Sequence, residues 1–86
     1  MKVAVYDTHV TKNCGGIMHF DVVVPEGLPY EKVLEFGKAY LKGVDQEGQP
    51  LSAKDCEFCH TEQASSKVTK FVRAQGFHIV EMDGCS

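Results

Sequence analysis

Two valine- and aromatic-rich runs separated by a turn-forming cluster constrain the fold most strongly. Residues 2–10 and 17–24 both have the composition and alternation typical of β-strands. Between them, residues 11–16 read Thr-Lys-Asn-Cys-Gly-Gly, a set of residues that favours turns. The pattern predicts a β-hairpin with a longer loop, and therefore a sheet built around the N-terminal part of the chain.

The register of this hairpin is predicted from the segregation of its side chains. If Val10 pairs with Ile17, polar and apolar residues separate onto two faces of the sheet, because side chains alternate along strands. The apolar face, which the helices would cover, then carries Val3, Val5, Met18, Phe20, Val22 and Val24. The opposite, uncovered face carries Tyr6, Thr8, His19 and Asp21.

The remainder of the chain predicts two helices and two further strands. Apolar residues at helical spacing indicate helices over 30–42 and 64–75, and residues 51–60 and 77–82 have strand character. The order β-β-α-β-α-β predicts an α+β fold, a small mixed sheet with both helices on one face, since that arrangement buries both apolar stripes most simply. With no repeat or linker, residues 1–86 form a single domain.

Charge and cysteine usage exclude several classes of protein. Nine Lys and Arg stand against twelve Asp and Glu, a net charge of −3, so the basic footprint of a nucleic-acid-binding domain is absent from the sequence. The sequence has no apolar run long enough to cross a membrane. Asp7 interrupts the first apolar stretch before a signal peptide could form, which predicts a cytoplasmic protein with reduced cysteines.

The segment Cys56-Glu57-Phe58-Cys59-His60 is the local pattern with most chemical content. It matches C-x-x-C-H haem attachment, with Met82 as an opposite axial ligand, but the β-rich setting and the lack of a leader argue against haem. A C-x-x-C redox pair would need Cys56 at a helix N-terminus, and the second helix begins too late for that.

Zinc is a further interpretation of the same segment. A structural site takes four Cys or His ligands, and Cys56, Cys59, His60 and Cys85 could supply them, with His19 or Cys14 as substitutes. There is no second C-x-x-C pair, so the pattern is incomplete. The simplest alternative is that Cys56 or Cys59 packs in the core as a small apolar residue.

Four separated motifs resemble a known family. They are Val5-Tyr6-Asp7-Thr8, Met18-His19-Phe20-Asp21-Val22, Cys56-x-Phe58-Cys59-His60-Thr61-Glu62 and Gly84-Cys85. In this order the chain resembles the small bacterial family known as domain of unknown function 2024. The resemblance implies an α+β fold and a cytosolic bacterial protein, and it implies no established activity.

Three classes of function remain open from the sequence. We rank first a non-catalytic binding or adaptor domain for an unknown protein or small ligand, with a homodimer as one form. A zinc-binding protein using the cysteine segment is second, and no cofactor is assigned. Third is a small enzyme at a dimer interface, since His titrates near neutrality. The candidate site residues, expected on the uncovered sheet face, are Tyr6, Thr8, His19, Asp21 and His60.

Overall fold

The computed structural model describes residues 1–51 and 54–85. The element order is β-β-α-β-α-β, which confirms the predicted α+β fold. The elements are β1 (Lys2–Thr11), β2 (Ile17–Pro25), α1 (Tyr30–Gly43), β3 (Cys56–Gln63), α2 (Ser66–Gln75) and β4 (His78–Asp83). The strand predicted over 51–60 therefore begins later, at Cys56, and residues 52 and 53 of that prediction lie outside the described residues.

The sheet has four strands in the order β3-β1-β2-β4, and all three neighbouring pairs are antiparallel. The prediction of a mixed sheet was therefore wrong. The hairpin β1–β2 forms the centre, and β3 and β4 add to its two edges, each running opposite to the strand that it joins. The chain segments containing α1 and α2 both connect strands that are not neighbours in the sheet, so no parallel pair arises.

The two helices pack on opposite faces of the sheet, which corrects the prediction that both cover one face. On the α1 face, the helix residues Val33 and Leu41 pack against strand residues in one apolar cluster. Its strand members are Ala4, Val10, Met18, Phe20, Val22, Val24 and Cys56. On the α2 face, Val72 packs in a second, smaller cluster with Val3, Val5 and Val23. The central strands are thus buried on both faces at one end of the sheet.

The hairpin register differs by one residue from the prediction. Val10 pairs with Met18, so Val5 lies opposite Val23 and shares the α2 face with it. The physical reason is the continuous apolar run Val22–Val24, in which all three side chains are buried. Such a run is the pattern of a strand covered on both faces, and alternation cannot fix its register.

The ends of α2 follow simple capping chemistry. The Ser65 hydroxyl oxygen accepts a hydrogen bond from the Val68 backbone N–H at 3.2 Å, which satisfies one of the free donors of the first turn. Gly76 ends the helix in the left-handed conformation, with φ of 93°. Within the described part of the chain, neither helix combines the length and the apolar character that a membrane span requires.

Candidate metal centre

A polar patch occupies the end of the α2 face that α2 leaves uncovered. We define the open patch as Asp7 and His9 of β1 together with His19 and Asp21 of β2. Antiparallel pairing places Asp7 opposite Asp21 and His9 opposite His19, so all four side chains project from the same face. β1 and β2, the strands that carry these residues, are the two central strands of the sheet, so each is hydrogen-bonded to a neighbouring strand on both sides.

Three side chains of the open patch converge. The imidazole rings of His9 and His19 stack with centroids 4.2 Å apart and planes inclined by 13°. The Nε2 of His19 is hydrogen-bonded to a carboxylate oxygen of Asp7. One potential ligand atom from each of Asp7, His9 and His19 lies within 4.8 Å of the other two. Across residues 1–51 and 54–85, this trio is the one group of three or more Cys, His or acidic residues that meets that criterion.

The two carboxylates of the open patch differ electrostatically. The hydrogen bond from His19 holds the pKa of Asp7 below its usual value, with the charge on His19 adding to the effect against the cost of burial. The pKa of Asp21 is raised, chiefly by burial and then by the negative charge of Asp7 opposite. Asp7 is therefore the more firmly ionised of the pair and the better anionic ligand.

The donor set suits a divalent transition metal ion. Two imidazole nitrogens and one carboxylate oxygen are ligands that zinc accepts, and they match the two-histidine, one-carboxylate sets that also hold iron(II). Metal–ligand bonds of about 2.0–2.2 Å place neighbouring ligand atoms roughly 3.3 Å apart in tetrahedral geometry. The trio is within 4.8 Å, so small side-chain rotations bring it to that spacing. The Asp7 and His19 side chains are 41% and 31% exposed, which leaves room for water on the solvent side of the site.

The predicted site residues are divided between the two faces. His19 and Asp21 lie together in the open patch, whereas Tyr6 and Thr8 lie on the α1 face. The Tyr6 ring packs between Tyr30 and Phe58, with centroids 5.6 Å and 5.7 Å away. The prediction that Tyr6 and Thr8 share a face with His19 was therefore wrong, and the one-residue shift in register is the reason.

Thr8 is a buried residue of the α1 face. It is fully buried, and its hydroxyl donates to the Tyr6 carbonyl oxygen at 3.3 Å and approaches the Cys56 sulfur at 3.4 Å. A hydroxyl with both contacts inside the α1 cluster is satisfied and does not reach the open patch.

His60 lies on the α2 face but on the edge strand β3, opposite Val5. Its charge is close enough to lower the pKa of Asp21 slightly, against the larger effect of burial. A β-bulge at Cys59 separates His60 from Cys56 and Phe58, which pair with Thr8 and Tyr6 on the α1 face. His60 therefore lies on the same face as His19 and Asp21, whereas Cys56 and Phe58 lie on the opposite face.

The structure does not bring the predicted zinc cysteines together. Cys56 is buried in the α1 cluster, and Cys59 is exposed at the bulge. Cys85 follows β4, at the other side of the sheet. Its thiol donates a hydrogen bond to the His19 carbonyl oxygen at 3.3 Å. In the described residues, no group of three converging ligand atoms includes a cysteine. The four thiols are free, and Cys14 lies in the β1–β2 loop.

The sequence interpretation missed Asp7 and His9. His9 is exposed, and its ring stacks on that of His19. A usable signal was present: Asp7-Thr8-His9 and His19-Phe20-Asp21 are mirror images along the chain. In an antiparallel hairpin, mirrored D-x-H and H-x-D segments place like residues opposite each other on one face when the register centres on them.

Comparison with known proteins agrees with this architecture. The NMR structure of protein NE1680 from Nitrosomonas europaea, a structural genomics target, is similar to this chain with a TM-score of 0.88 and 36% sequence identity over 100% of both chains. No curated protein matches the chain. The family described as domain of unknown function (DUF2024) matches residues 1–82. This chain is a member of the DUF2024 family.

Proposed function

We propose that this protein is a non-catalytic binding domain whose ligand is a divalent transition metal ion, held by Asp7, His9 and His19. The observation that carries the proposal is the convergence of one ligand atom from each of these residues within 4.8 Å. The ligands come from two paired central strands, so the backbone spacing between them is set by the sheet. Preorganised ligands lower the cost of assembling a metal site.

The electrostatics of the open patch support a cation in the same place. Asp7 faces Asp21 across the hairpin, and like charges directly opposite in a sheet repel. A divalent ion would relieve this repulsion. It would also replace the proton that His19 shares with Asp7, since a metal ligand must present a free lone pair.

The test uses protein without a polyhistidine tag, stripped with chelator and titrated with Zn²⁺ and Co²⁺ in a calorimeter. We expect one ion per chain, and a loss of affinity of at least about tenfold in H9N and in H19N. H60N is the matched control, because His60 lies on the same face outside the trio, and its affinity should stay at the wild-type value. Binding weaker than ~1 mM in the wild type, or an affinity in H9N and H19N equal to that of the wild type, would reject the proposal.

Cobalt also separates this site from the cysteine alternative. A thiolate ligand gives Co²⁺ an intense near-ultraviolet charge-transfer band, and an oxygen and nitrogen donor set does not. We expect the band to be missing from the wild-type complex. Its presence, with loss in C59S, would return the metal to the cysteine segment.

An adaptor role finds support at a different place, the outer edge of β3. Seven of its eight residues are exposed, from Glu57 to Gln63, and the Phe58 side chain is 56% exposed. Exposed edge strands bind other strands by backbone hydrogen bonding. The simplest form is self-association, so sedimentation of the wild type should show dimers that F58K abolishes. A wild type that stays monomeric at every concentration would contradict this second role.

A further inference from the structure

The β-bulge in β3 creates a second polar cluster that the metal centre does not use. His60 pairs with Val5 and Phe58 pairs with Tyr6, so Cys59 is the extra residue with no partner on β1. Bulges re-aim a side chain out of the regular alternation of a strand. Here the effect is that the exposed Cys59 sulfur lies 3.2 Å from Nδ1 of the next residue, His60.

His60 uses both ring nitrogens within this cluster. Its Nε2 is 2.5 Å from a carboxylate oxygen of Glu62, which lies on the same face two residues along the strand. A carboxylate accepts only, so the Nε2 proton points to Glu62 and Nδ1 is left as the acceptor for the Cys59 thiol proton. The order thiol, imidazole, carboxylate is the arrangement of an activated nucleophile.

The geometry separates this cluster from a chelating site. The Cys59 and Glu62 atoms contact opposite nitrogens of one imidazole ring, so the ring stands between them. Consistent with this, these three residues do not form one of the converging ligand groups in the described part of the chain. The arrangement therefore suits proton transfer from the thiol to the imidazole, and it does not suit the binding of one metal ion by all three side chains.

We infer that Cys59 is a nucleophilic thiol that undergoes exchange with low-molecular-weight disulfides, with His60 as the proton acceptor and Glu62 as a positioning residue. The Cys59 sulfur forms a bond to one sulfur of the disulfide while the disulfide S–S bond breaks. His60 takes the thiol proton and passes it to the departing thiolate. Cys59 is oxidised to a mixed disulfide, the departing half is reduced, and no further oxidant is needed.

A disulfide is the substrate class that the surroundings favour. The His60 and Glu62 side chains are 50% and 53% exposed, so the cluster lies on open surface. Exchange at sulfur needs a thiolate and an in-line approach, and it does not require a pocket that stabilises an oxyanion. Acyl transfer would require that pocket.

The mixed disulfide should persist, because the nearest cysteine in sequence cannot resolve it. Cys56 lies on the α1 face and is 1% exposed, and burial raises the pKa of its thiol. A buried thiol of this kind is a poor nucleophile. Cys59 is therefore a site of reversible thiol modification, and the protein is not a dithiol oxidoreductase of the C-x-x-C type.

The test is a time course of modification by oxidised glutathione, in chelator, at pH 7. Modified peptides are resolved by tandem mass spectrometry so that each cysteine has its own rate. Cys14 is the internal control, since it is exposed but lies in the β1–β2 loop away from this cluster. Because His60 accepts the Cys59 thiol proton during attack, we expect Cys59 to react about five to ten times faster than Cys14.

Variants separate the roles of the three residues. H60N should reduce the Cys59 rate to that of Cys14, while the buried Cys56 stays unmodified, which reports that the fold is intact. E62A should slow the reaction of Cys59, whereas E62Q, whose side-chain carbonyl still accepts from Nε2, should restore most of the rate.

Equal rates at Cys59 and Cys14 in the wild type, or a Cys59-to-Cys14 rate ratio that is unchanged in H60N, would overturn the proposal. If E62Q is as slow as E62A, Glu62 is not a hydrogen-bonding positioning residue. Because chelator is present, the outcome does not depend on the metal centre.

Discussion

His9 and His19 lie face to face across the central hairpin, with ring centroids 4.2 Å apart and planes inclined by 13°. They are cross-strand partners, and the neighbouring pair on the same face is Asp7 and Asp21. The two stacked imidazoles therefore lie beside two facing carboxylates, which repel each other when both are charged. The first two predictions concern the carboxylates of this arrangement.

The hydrogen bond from His19 to Asp7 should make folding sensitive to acid. The pKa of Asp7 in the folded protein is below its usual value of 3.8. Asp7 therefore contributes stability that is fully present above pH 3.8, the value in the unfolded chain, and is lost as pH falls toward the lowered folded value. D7N should remove this contribution, so that the free energy of unfolding falls less steeply below about pH 4.

Urea unfolding of metal-free protein at several pH values measures this slope. D45N is the control, since Asp45 lies beyond α1 and away from the open patch. An identical acid dependence in D7N and wild type would show that the contact with His19 contributes nothing to the folded state.

Asp21 should act with the opposite sign. Burial and the facing charge of Asp7 raise its pKa above the usual 3.8. The carboxyl therefore favours the folded state when protonated, and this contribution is lost as pH rises through the raised folded value. At pH 7 the charged Asp21 destabilises the fold, and D21N should stabilise the metal-free protein by roughly 0.2–1 kcal/mol, the range for a cross-strand charge pair.

Thermal unfolding at pH 7 checks the sign, and such a gain raises the Tm by a few degrees in a domain of this size. E57Q is the comparison, because Glu57 faces Asp7 from the other side but is exposed, so its gain should be smaller. A lower Tm for D21N than for wild type would mean that Asp21 makes a stabilising contact that outweighs its repulsion from Asp7.

The sequence predicted the elements well and their faces less well, and the reason lies in particular residues. The hairpin, both helices and the order of elements follow from period and turn chemistry, which are local. The register of the hairpin depends on which residues are covered, and the run Val22–Val24 is apolar on both faces. The segregation of polar from apolar side chains therefore selected a register one residue away, which separated Asp7 and His9 from His19 in the predicted site.

Two β-bulges account for much of the remaining difference. Cys59 in β3 and Met82 in β4 are each skipped in the pairing with the neighbouring strand. A bulge inverts the alternation beyond it, and neither position is a glycine or a proline that would mark it in the sequence. Without the bulge, His60 would share the α1 face with Cys56 and Phe58; with the bulge, it lies on the same face as His19 and Asp21.

Because the sheet has a buried core on both faces, Val23 of the α2 face should contribute to the free energy of unfolding, as residues of the α1 face do. Its side chain is 4% exposed and packs with Val3, Val5 and Val72 under α2. V23A should cost about 1–3 kcal/mol of unfolding free energy, as expected for a buried valine that loses its apolar contacts.

Phe20 provides the reference on the α1 face, where it is 0% exposed and contacts Tyr40 with ring centroids 4.7 Å apart. F20A should cost about 3–5 kcal/mol. Chemical denaturation of both variants gives the comparison. A loss below ~0.5 kcal/mol for V23A, the range of ordinary surface substitutions, would be incompatible with a second buried face.

Gly84 should tolerate no side chain, because two independent features exclude one. Its φ is +67°, in the left-handed region that non-glycine residues rarely adopt, and an added Cβ would lie 2.4 Å from the backbone oxygen of Ile17. That oxygen belongs to β2, two residues before His19, so the segment after β4 cannot shift without moving the strand that carries a proposed metal ligand. G84A should therefore cost roughly 1–3 kcal/mol of stability and also weaken Zn²⁺ binding.

G48A is the matched control, since Gly48 also has positive φ, 88°, but its added Cβ meets nothing within 4 Å. If the loss of stability is the same in both variants, backbone conformation alone explains it; a larger loss in G84A, with weaker metal binding found only there, identifies the close approach to β2 as the cause.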